Sequence, residues 1–340
     1  MSAESPLREL ISDLAESAGP GGGAGELPQI WPEMVKLGLN VVGIAESSGG
    51  ADGTLADLAV LSEALGQHGI GVPLIEASTS NWVLAEAGQH IDPASLSVIA
   101  VTAEAWDGEG PVTARLGGVA WARGADRVIV YPEAGSPVSF MIGDPGVSVE
   151  PGVNLAGEQS DTVVLTAARG AVLASAPERD VVLARLGVLW SAAVLGAVRG
   201  AYDLTREYVR TREQFGAPLV KIPSVAAGLA TIRTQLLQAD ATVDRAVELS
   251  SSGAQDNSVL AAAAVARIVC ATSATETARI AHQLHGAMGI TAEYPLHRLT
   301  TKLWAWRDAV QSEARWSELV GDATLAQGEN ALWCELTATN

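Results

Sequence analysis

The sequence is short of cysteine, of aromatic side chains and of positive charge. Cys270 and Cys334 are the only cysteines among 340 residues, which is too few for a disulfide framework or a cysteine-based zinc site. This usage is typical of a reducing compartment, and we expect the protein in the cytoplasm. Cys270 lies in the apolar run VARIVCATSA and is predicted to be a buried small side chain. Because aromatic residues are only 4% of the chain, helices are expected to pack closely through Ala and Gly.

The shortage of positive charge limits the partners. Lys and Arg number 21 against 39 Asp and Glu, which gives a net charge of −18. Nucleic acid and an anionic membrane surface are excluded as partners, because their phosphates would repel the chain. A phosphorylated cofactor is compatible with this charge, since a few local Arg residues and helix N-termini suffice to bind it.

The chain also lacks a long hydrophobic run. Its most apolar stretch, LGVLWSAAVLGAV at residues 186–198, is shorter than the roughly 20 residues that a helix needs to cross a bilayer. We therefore predict a buried core helix there and no membrane segment. The first residues, MSAESPLREL, are polar and acidic, unlike a signal peptide.

Three regions follow one another along the sequence. Residues 1–91 show helical apolar spacing, and Thr54 with Asp57 predicts the N-cap of one helix. Residues 92–176 hold short β-rich runs separated by Gly, Pro and Asp, which predicts a small antiparallel sheet. The rest, residues 177–340, returns to helical spacing. The expected fold is mainly α with a small β domain: an N-terminal helical domain, a middle antiparallel β domain and a C-terminal four-helix bundle. The four long helices are predicted at about 177–212, 219–251, 256–286 and 296–326.

The first candidate site is the stretch TREQFGAPLV, residues 211–220, at the end of a long apolar helix. Arg212, Gln214 and Phe215 stand together there, next to Gly216. Taken alone, the stretch is more typical of a capped helix end, with Gly216 at the C′ position and Arg212 near the last carbonyl groups.

The second candidate is HQLHGAMGITAEYPLHR, residues 282–298. Gln283, Gly286 and Gly289 surround a transition from helix to loop, where glycines let a ligand approach the backbone closely. An ordinary helix end followed by a turn at the Y-P pair would also fit this stretch. His282 and His285 have too little acid nearby to indicate a metal, so we predict no metal site and expect both rings to pack or hydrogen-bond.

Together, the two stretches resemble the acyl-CoA dehydrogenase family. That family has an R-x-x-F-G corner and, further along the chain, Q-x-x-G-G-x-G followed by E-Y-P. Here the corner lies at residues 212–216, the glycine motif at 283–289 and E-Y-P at 293–295. The segment LGLNVVGIAESSGGADGTLADLAVLSEALG resembles the family's N-terminal helical segment, and LGGVAWARGADRVIVY resembles its middle-domain hairpin. The resemblance therefore covers most of the chain.

The resemblance implies an enzyme that uses FAD to desaturate an acyl-CoA. In that family the two motifs bind the adenosine diphosphate half of the FAD held by a neighbouring subunit, and Arg212 would face the pyrophosphate as a bidentate donor. Ala287 departs from the family's second glycine, and its methyl group would crowd the cofactor slightly without excluding it. The residues that the resemblance assigns to FAD are Arg212, Gln214, Phe215, Gln283, Gly286, Ala287 and Gly289.

The resemblance breaks at the catalytic base. The family reaction needs a carboxylate that takes the α-proton of the thioester while the flavin accepts the β-hydride. Counting at the family's two spacings leads to Val310 and to the neighbourhood of Leu186, and neither is acidic. Asp308 and Glu313 lie two and three residues from Val310, a rotation of roughly 200° or 300° on a helix, so neither simply substitutes. No catalytic residue is assigned to this chain.

The middle region departs from the family as well. The family's ring-holding segment of the T-E-P-x-x-G-S-D kind is replaced by the shorter VTAEAWDGEGPVTAR, and WARGAD stands where a W-x-T-N-like strand is expected. Residues that reach into a neighbour's site are kept, whereas the chain's own base and flavin platform are missing. In this respect the chain resembles the non-catalytic subunit of actinobacterial steroid-degrading heterotetramers of the α2β2 kind.

The resemblance leads to one main hypothesis and two alternatives. The main one is a base-less subunit that completes the FAD site of a second acyl-CoA dehydrogenase-like subunit, acting on a bulky, steroid-derived acyl-CoA with an electron-transfer flavoprotein as acceptor. One alternative is a self-sufficient homo-oligomeric dehydrogenase whose base is Asp308 or Glu313. The other is a non-enzymatic scaffold of the same fold.

Overall fold

The computed structural model describes residues 5–18, 24–106 and 110–337, and its architecture confirms the expected fold class. The helices are α1 (Pro6–Ala18), α2 (Ile30–Lys36), α3 (Leu55–Gln67), α4 (Leu74–Glu86), α5 (Arg179–Thr211), α6 (Pro223–Ser251), α7 (Asp256–His285), α8 (Leu296–Arg307), α9 (Glu313–Gln327) and α10 (Glu329–Thr337). The strands are β1 (Ser97–Val101), β2 (Val112–Ala120), β3 (Arg127–Tyr131), β4 (Val138–Met141), β5 (Val147–Glu150), β6 (Ser160–Ala168), β7 (Ala171–Val172), β8 (Glu213–Gln214) and β9 (Ala217–Pro218).

The chain divides into two compact units. The helical unit consists of Met1–Ser12, Ala59–Ile70 and Gly187–Asn340, and the mixed unit consists of Asp13–Leu58 and Gly71–Leu186. Three consecutive regions were predicted from the sequence, with boundaries at 91/92 and 176/177. These boundaries remain a prediction.

Helices of the helical unit approach each other closely through glycine. A Cβ atom at Gly196 would lie 1.9 Å from the carbonyl oxygen of Glu63, and one at Gly66 would lie 2.1 Å from that of Ala193. No larger residue fits either position without moving a backbone. The predicted packing through small side chains is confirmed, and it extends to α7, which packs on α6, α8 and α9. The buried alanines of α7 include Ala261, Ala262, Ala263, Ala264 and Ala266.

The start of α3 confirms the predicted N-cap. The backbone N–H of Asp57 donates to Thr54 Oγ1 at 3.2 Å, and the backbone N–H of Thr54 donates to Asp57 Oδ2 at 2.8 Å. This reciprocal pair satisfies two backbone donors that a helix start would leave without partners.

Two helices are long and apolar enough to cross a membrane, judged by length and composition alone. They are Arg179–Thr211 and Asp256–Ile290, and their apolar windows are 89% and 61% buried within the structure. The first value confirms the prediction of a core helix over residues 186–198. Cys270, on α7, is fully buried, as predicted.

The fourth long helix predicted from the sequence is in fact two helices. α8 ends at Arg307 and α9 begins at Glu313, and we call residues 308–312 between them the break segment. Val310 has a φ of +69°, a left-handed conformation that a β-branched residue rarely adopts and that no α-helix continues through. Apolar spacing runs on across this segment, which is why periodicity alone predicted one helix.

The single antiparallel sheet predicted for the middle region is also incorrect, because there are two sheets. Their strand orders are β1-β3-β4-β7 and β2-β6-β5. β1 and β3 pair in parallel, with Ser97 opposite Arg127. β2 lies between them in sequence but joins the other sheet, which supplies the long crossover that a parallel pair needs. The expected hairpin over LGGVAWARGADRVIVY is therefore wrong: Trp121, at φ +62°, and the 3-10 turn Ala122–Gly124 lead the chain from one sheet to the other.

Candidate functional site

The chain after α5 turns back on itself in a small hairpin. The backbone N–H of Arg212 donates to Tyr208 O at 2.9 Å, the last helical bond, and β8 then pairs with β9. Phe215 and Gly216 form the two-residue connection, with φ values of +54° and +79°. Positive φ at both central residues is the geometry of a tight hairpin turn. Gly216 is therefore part of a hairpin and not the C′ cap of α5.

Phe215 is at the tip of this hairpin. Its side chain is 93% exposed, and its backbone takes the left-handed conformation that Asn or Gly usually fills. A bulky residue held in a strained conformation with its ring in solvent gains nothing from packing within this chain. Such residues cluster at binding sites, where the surrounding structure holds them for a partner or ligand.

Arg212 and Gln214 flank this tip and are exposed. Among the described residues, neither side chain has a hydrogen bond or an ion pair. Arg199, on the same helix, is engaged by contrast, because it donates to Glu63 at 3.0 Å and to Asp240 at 2.9 Å. The Arg212 guanidinium is therefore free to donate to a ligand.

The second stretch begins at the end of α7. Gln283 and Ala287 are exposed, and Gly286 has a φ of +56° with nothing within 4 Å of the place a Cβ would occupy. Gly289 is different, because it is buried and a Cβ there would lie 2.9 Å from His285 Cβ. The backbone conformation thus requires glycine at 286, whereas packing requires it at 289.

A cluster of three rings, of which Tyr208 and His285 are stacked, joins the two stretches. The ring of Tyr208, one turn before Arg212, lies 4.3 Å from that of His285, which directly precedes Gly286. Tyr294, of the E-Y-P motif, lies 4.9 Å from His285 and 5.7 Å from Tyr208 between ring centres. Tyr208 Oη also donates to His285 O at 3.4 Å. The cluster supports both stretches together, and we call residues 212–216 and 283–289 the motif face. Tyr208 was missed from the sequence; its position one turn before the motif arginine was the available signal.

The two histidines beneath the motif face pack and hydrogen-bond, as predicted. His285 Nδ1 donates to Ala281 O at 2.8 Å, and His282 Nε2 lies 2.8 Å from Thr300 Oγ1. Burial lowers the pKa of both rings below the usual value, which keeps them neutral at pH 7. Among residues 5–18, 24–106 and 110–337, no three His, Cys, Asp or Glu side chains are grouped so that they could hold a metal ion.

The first position counted for a catalytic base is Val310, which lies in the break segment. The polar groups around this segment make contacts that stabilise the fold. Nη2 of the buried Arg267 donates to Trp306 O at 2.9 Å and to Arg307 O at 2.6 Å, which caps the end of α8. Asp308 forms an ion pair with Arg307 at 2.7 Å. Val310 itself carries no acid. Glu313 lies in the first turn of α9.

The second counted position, Leu186, is only 1% exposed and is part of the hydrophobic core. Its neighbour Arg185 is also buried, at 8% exposure. Neither residue is acidic. The counted position therefore holds a hydrophobic side chain beside a cation, and no catalytic base.

In the mixed unit, the WARGAD segment holds the sheets together. Arg123 forms an ion pair with the fully buried Asp161 at 2.7 Å, and its backbone N–H donates to the same carboxylate at 2.8 Å. Asp126 accepts from Ser95 Oγ at 2.9 Å and from the backbone N–H of Leu96 at 3.0 Å. These side chains stabilise the fold through their hydrogen bonds and ion pair. Residues 107–109 of the shortened segment before β2 lie outside the described residues.

Residues 181–307 match the family model described as Acyl-CoA dehydrogenase, C-terminal domain. This region of the chain is therefore similar to the C-terminal domain of acyl-CoA dehydrogenases. The matched range contains α6, α7, α8 and the whole motif face, so the family match rests on the same part of the chain as the candidate site.

Individual relatives match the chain over different extents. Acyl-CoA dehydrogenase FadE28 of Mycobacterium tuberculosis is 29% identical over 296 residues, which are 79% of this chain and 84% of that protein. The 3-sulfinopropanoyl-CoA desulfinase of Paraburkholderia xenovorans is 36% identical over 105 residues, 31% of this chain. The match spans only 26% of that desulfinase.

Two solved structures share the acyl-CoA dehydrogenase fold with this chain. A variant of the Tcur3481-Tcur3483 steroid ACAD has a TM-score of 0.82 at 22% identity, covering 95% of this chain and 96% of that one. The ChsE4-ChsE5 complex from Mycobacterium tuberculosis has a TM-score of 0.83 at 20% identity, covering 96% and 99%.

The family match supports FAD as the cofactor. The motif face fits this group chemically. Arg212 and Gln283 are exposed N–H donors suited to phosphate oxygens, Gly286 leaves open space beside the backbone, and Phe215 presents an apolar ring. Gly289 is buried beneath this surface.

Proposed function

We propose that this chain is the base-less subunit of a heteromeric, FAD-dependent acyl-CoA dehydrogenase and completes the FAD site of a catalytic partner subunit. One contrast carries the proposal. The motif face offers Arg212 and Gln283 without partners among the described residues, whereas Val310 and Leu186 occupy the two positions counted for the base. A chain with the donors but without the base is suited to complete a site whose carboxylate comes from elsewhere.

The proposed division of labour follows from the side chains. Arg212 donates two parallel N–H bonds to the pyrophosphate, Gln283 adds an amide donor, and Phe215 covers the cofactor with its ring. Bound FAD would supply the acceptor for the hydride that leaves the β-carbon of the acyl group. The α-proton goes to a carboxylate of the partner subunit. The ring cluster under Gly286 keeps the donors of this chain in place.

The assembly and the substrate are proposed by analogy with structural neighbours. One neighbour is titled a complex of two named proteins, ChsE4 and ChsE5, and the other is titled a steroid ACAD. We propose an α2β2 assembly, a bulky, steroid-derived acyl-CoA as substrate, and an electron-transfer flavoprotein as electron acceptor in the cytoplasm. The shortened segment before β2 supports a cleft open to a bulky acyl group.

The first experiment is the absorption spectrum near 450 nm of this chain purified alone and after co-expression with its genomic neighbour. We expect no flavin in the chain alone and about one FAD per heterodimer after co-expression. Full flavin loading of the chain alone would contradict the heteromer and return attention to Asp308 and Glu313 as displaced bases. A complex that never carries flavin would support a scaffold.

A variant pair tests the motif face in the co-expressed complex. Arg212→Ala is expected to weaken FAD binding by roughly 10- to 100-fold, because it removes charge-assisted hydrogen bonds. Arg210→Ala removes a neighbouring exposed arginine in the last turn of α5 and is the matched control, with flavin content unchanged. Equal flavin content in both variants would refute the role of Arg212.

A further inference from the structure

Among the described residues two arginines are buried, and they differ in that only Arg267 makes hydrogen bonds, through Nη2, while its Nε and Nη1 have no partner. Arg267 is 1% exposed and donates Nη2 to the carbonyl oxygens at the end of α8, as described above. Arg185, in the second turn of α5, is 8% exposed, and no hydrogen bond or ion pair reaches its side chain from the described residues. Burial lowers the pKa of each guanidinium to about 10, so both are charged at pH 7. Arg267 has a structural role, whereas nothing in the fold uses the donors of Arg185.

The guanidinium of Arg185 lies among residues of the mixed unit. Its central carbon is 4.6 Å from the centre of the Trp82 ring, so one face of the cation is covered by an aromatic side chain. A Cβ atom at Gly43 would come within 3.4 Å of Nη2 and 3.3 Å of Leu58 Cδ1. A side chain at Gly43 would therefore crowd the Nη2 end of the guanidinium. Glu86 acts on the guanidinium through its charge without a hydrogen bond.

Nε and Nη2 of Arg185 are both buried and unpaired, and they lie on the same edge of the guanidinium plane. That edge presents two parallel N–H groups, the arrangement that binds two oxygens of one carboxylate or phosphate. A buried charge without hydrogen-bond partners destabilises a fold, and residues that break this rule concentrate at functional positions. The two donors are therefore positioned for an anionic group from outside the described chain.

We propose that Arg185, with Trp82 and Gly43, forms a binding site for an oxyanion, the carboxylate or phosphate group of a small ligand. The guanidinium edge binds two oxygens of the anion, Trp82 holds the cation in place, and the absence of a side chain at Gly43 keeps the Nη2 end of the guanidinium uncrowded. The motif face is not used in this site, so its test does not depend on flavin binding.

The binding test uses the full chain, with its partner subunit where the two purify together. Calorimetric titrations at constant ionic strength compare four probes: acetate, inorganic phosphate, succinyl-CoA and butyryl-CoA. Constant ionic strength is needed because salt screens charge interactions. Arg185→Gln is expected to weaken binding of the preferred anion by about tenfold or more, whereas butyryl-CoA, whose acyl group is neutral, changes little.

The preferred probe identifies the source of the anion. Tighter binding of acetate, or of succinyl-CoA over butyryl-CoA, indicates a carboxylate, and tighter binding of inorganic phosphate indicates a phosphoryl group. Arg185→Lys keeps the charge without the forked edge and is expected to fall between wild type and Arg185→Gln. Equal affinities of wild type and Arg185→Gln for every anion, or no anion binding by wild type, overturn the proposal.

A stability measurement tests the proposal independently of any ligand. Arg185→Met replaces an unpaired buried charge by an apolar side chain and is expected to raise the melting temperature of the ligand-free protein by about 2 °C. Arg267→Met is the matched control at the other buried arginine and is expected to lower it, because carbonyl groups lose their donor. If Arg185→Met lowers the melting temperature as much as Arg267→Met, Arg185 is a structural residue and the proposal is wrong.

Discussion

The motif face and the break segment belong to the same helical unit, yet they use their polar groups in opposite ways. On the motif face, Arg212 and Gln283 are exposed and have no partner among the described residues. At the break segment, the carbonyl oxygens of the preceding α8 end accept from Arg267, and Asp308 is paired with Arg307. The motif face keeps its N–H donors free for a ligand, whereas the polar groups at the break segment fix the backbone through hydrogen bonds and an ion pair.

This difference separates binding from proton transfer. A catalytic base must be a carboxylate within hydrogen-bond reach of the substrate proton. The break segment has instead a strained Val310 at the counted position and a buried cation beneath it. Binding chemistry is available at Arg212 and Gln283 because these exposed side chains have no partner among the described residues. Three predictions test the comparison, in order of decreasing expected effect.

The largest effect is expected from removing the cation under the break segment. Arg267→Met leaves the carbonyl groups of residues 306 and 307 without their donor and should lower the free energy of unfolding by about 3 kcal/mol. Chemical denaturation followed by circular dichroism measures the change. Arg279→Met, on the exposed side of the same helix, is the control and should leave the denaturation midpoint in place. Equal midpoints for the two variants would show that Arg267 does not support the segment.

A smaller effect is expected beneath the motif face. Gly289→Ala puts a methyl group 2.9 Å from His285 Cβ, and this overpacking should cost about 2 kcal/mol of unfolding free energy. Gly321→Ala, in α9 with nothing within 4 Å, is the matched control and should instead stabilise the protein by about 0.5–1 kcal/mol. Thermal unfolding of both variants gives the comparison. A neutral Gly289→Ala would mean that packing does not explain the glycine.

The smallest effect is expected from the acids around the break segment. Asp308→Asn and Glu313→Gln should each change turnover of the co-expressed complex by less than about twofold, whereas losing a general base costs roughly 100-fold or more. Steady-state kinetics with an acyl-CoA and an electron acceptor measure this. A large loss in either variant would assign the base to this chain and favour the self-sufficient enzyme.

Patterns among residues close in sequence were sufficient to predict several elements of the structure. Thr54 and Asp57 predicted a cap because capping needs only residues three positions apart. Helical spacing predicted α5, α6 and α7, and the paired motifs around Arg212 and Gln283 indicated the family before any fold was known. The same local rules failed at Val310, because a helix break caused by Arg267, 43 positions earlier in the numbering, leaves no mark on apolar spacing.

The sequence by itself determined the fold class, the family resemblance and the absence of an acid at the counted base positions, since these depend on residue identity and near spacing. Tertiary structure alone decided that the rings of Tyr208, His285 and Tyr294 come into contact, that β1 pairs in parallel with β3, and that Arg185 is buried without a hydrogen-bond partner among the described residues. The physical reason is distance along the chain. Ring stacking, strand pairing and the desolvation of a charge depend on groups that only folding brings together.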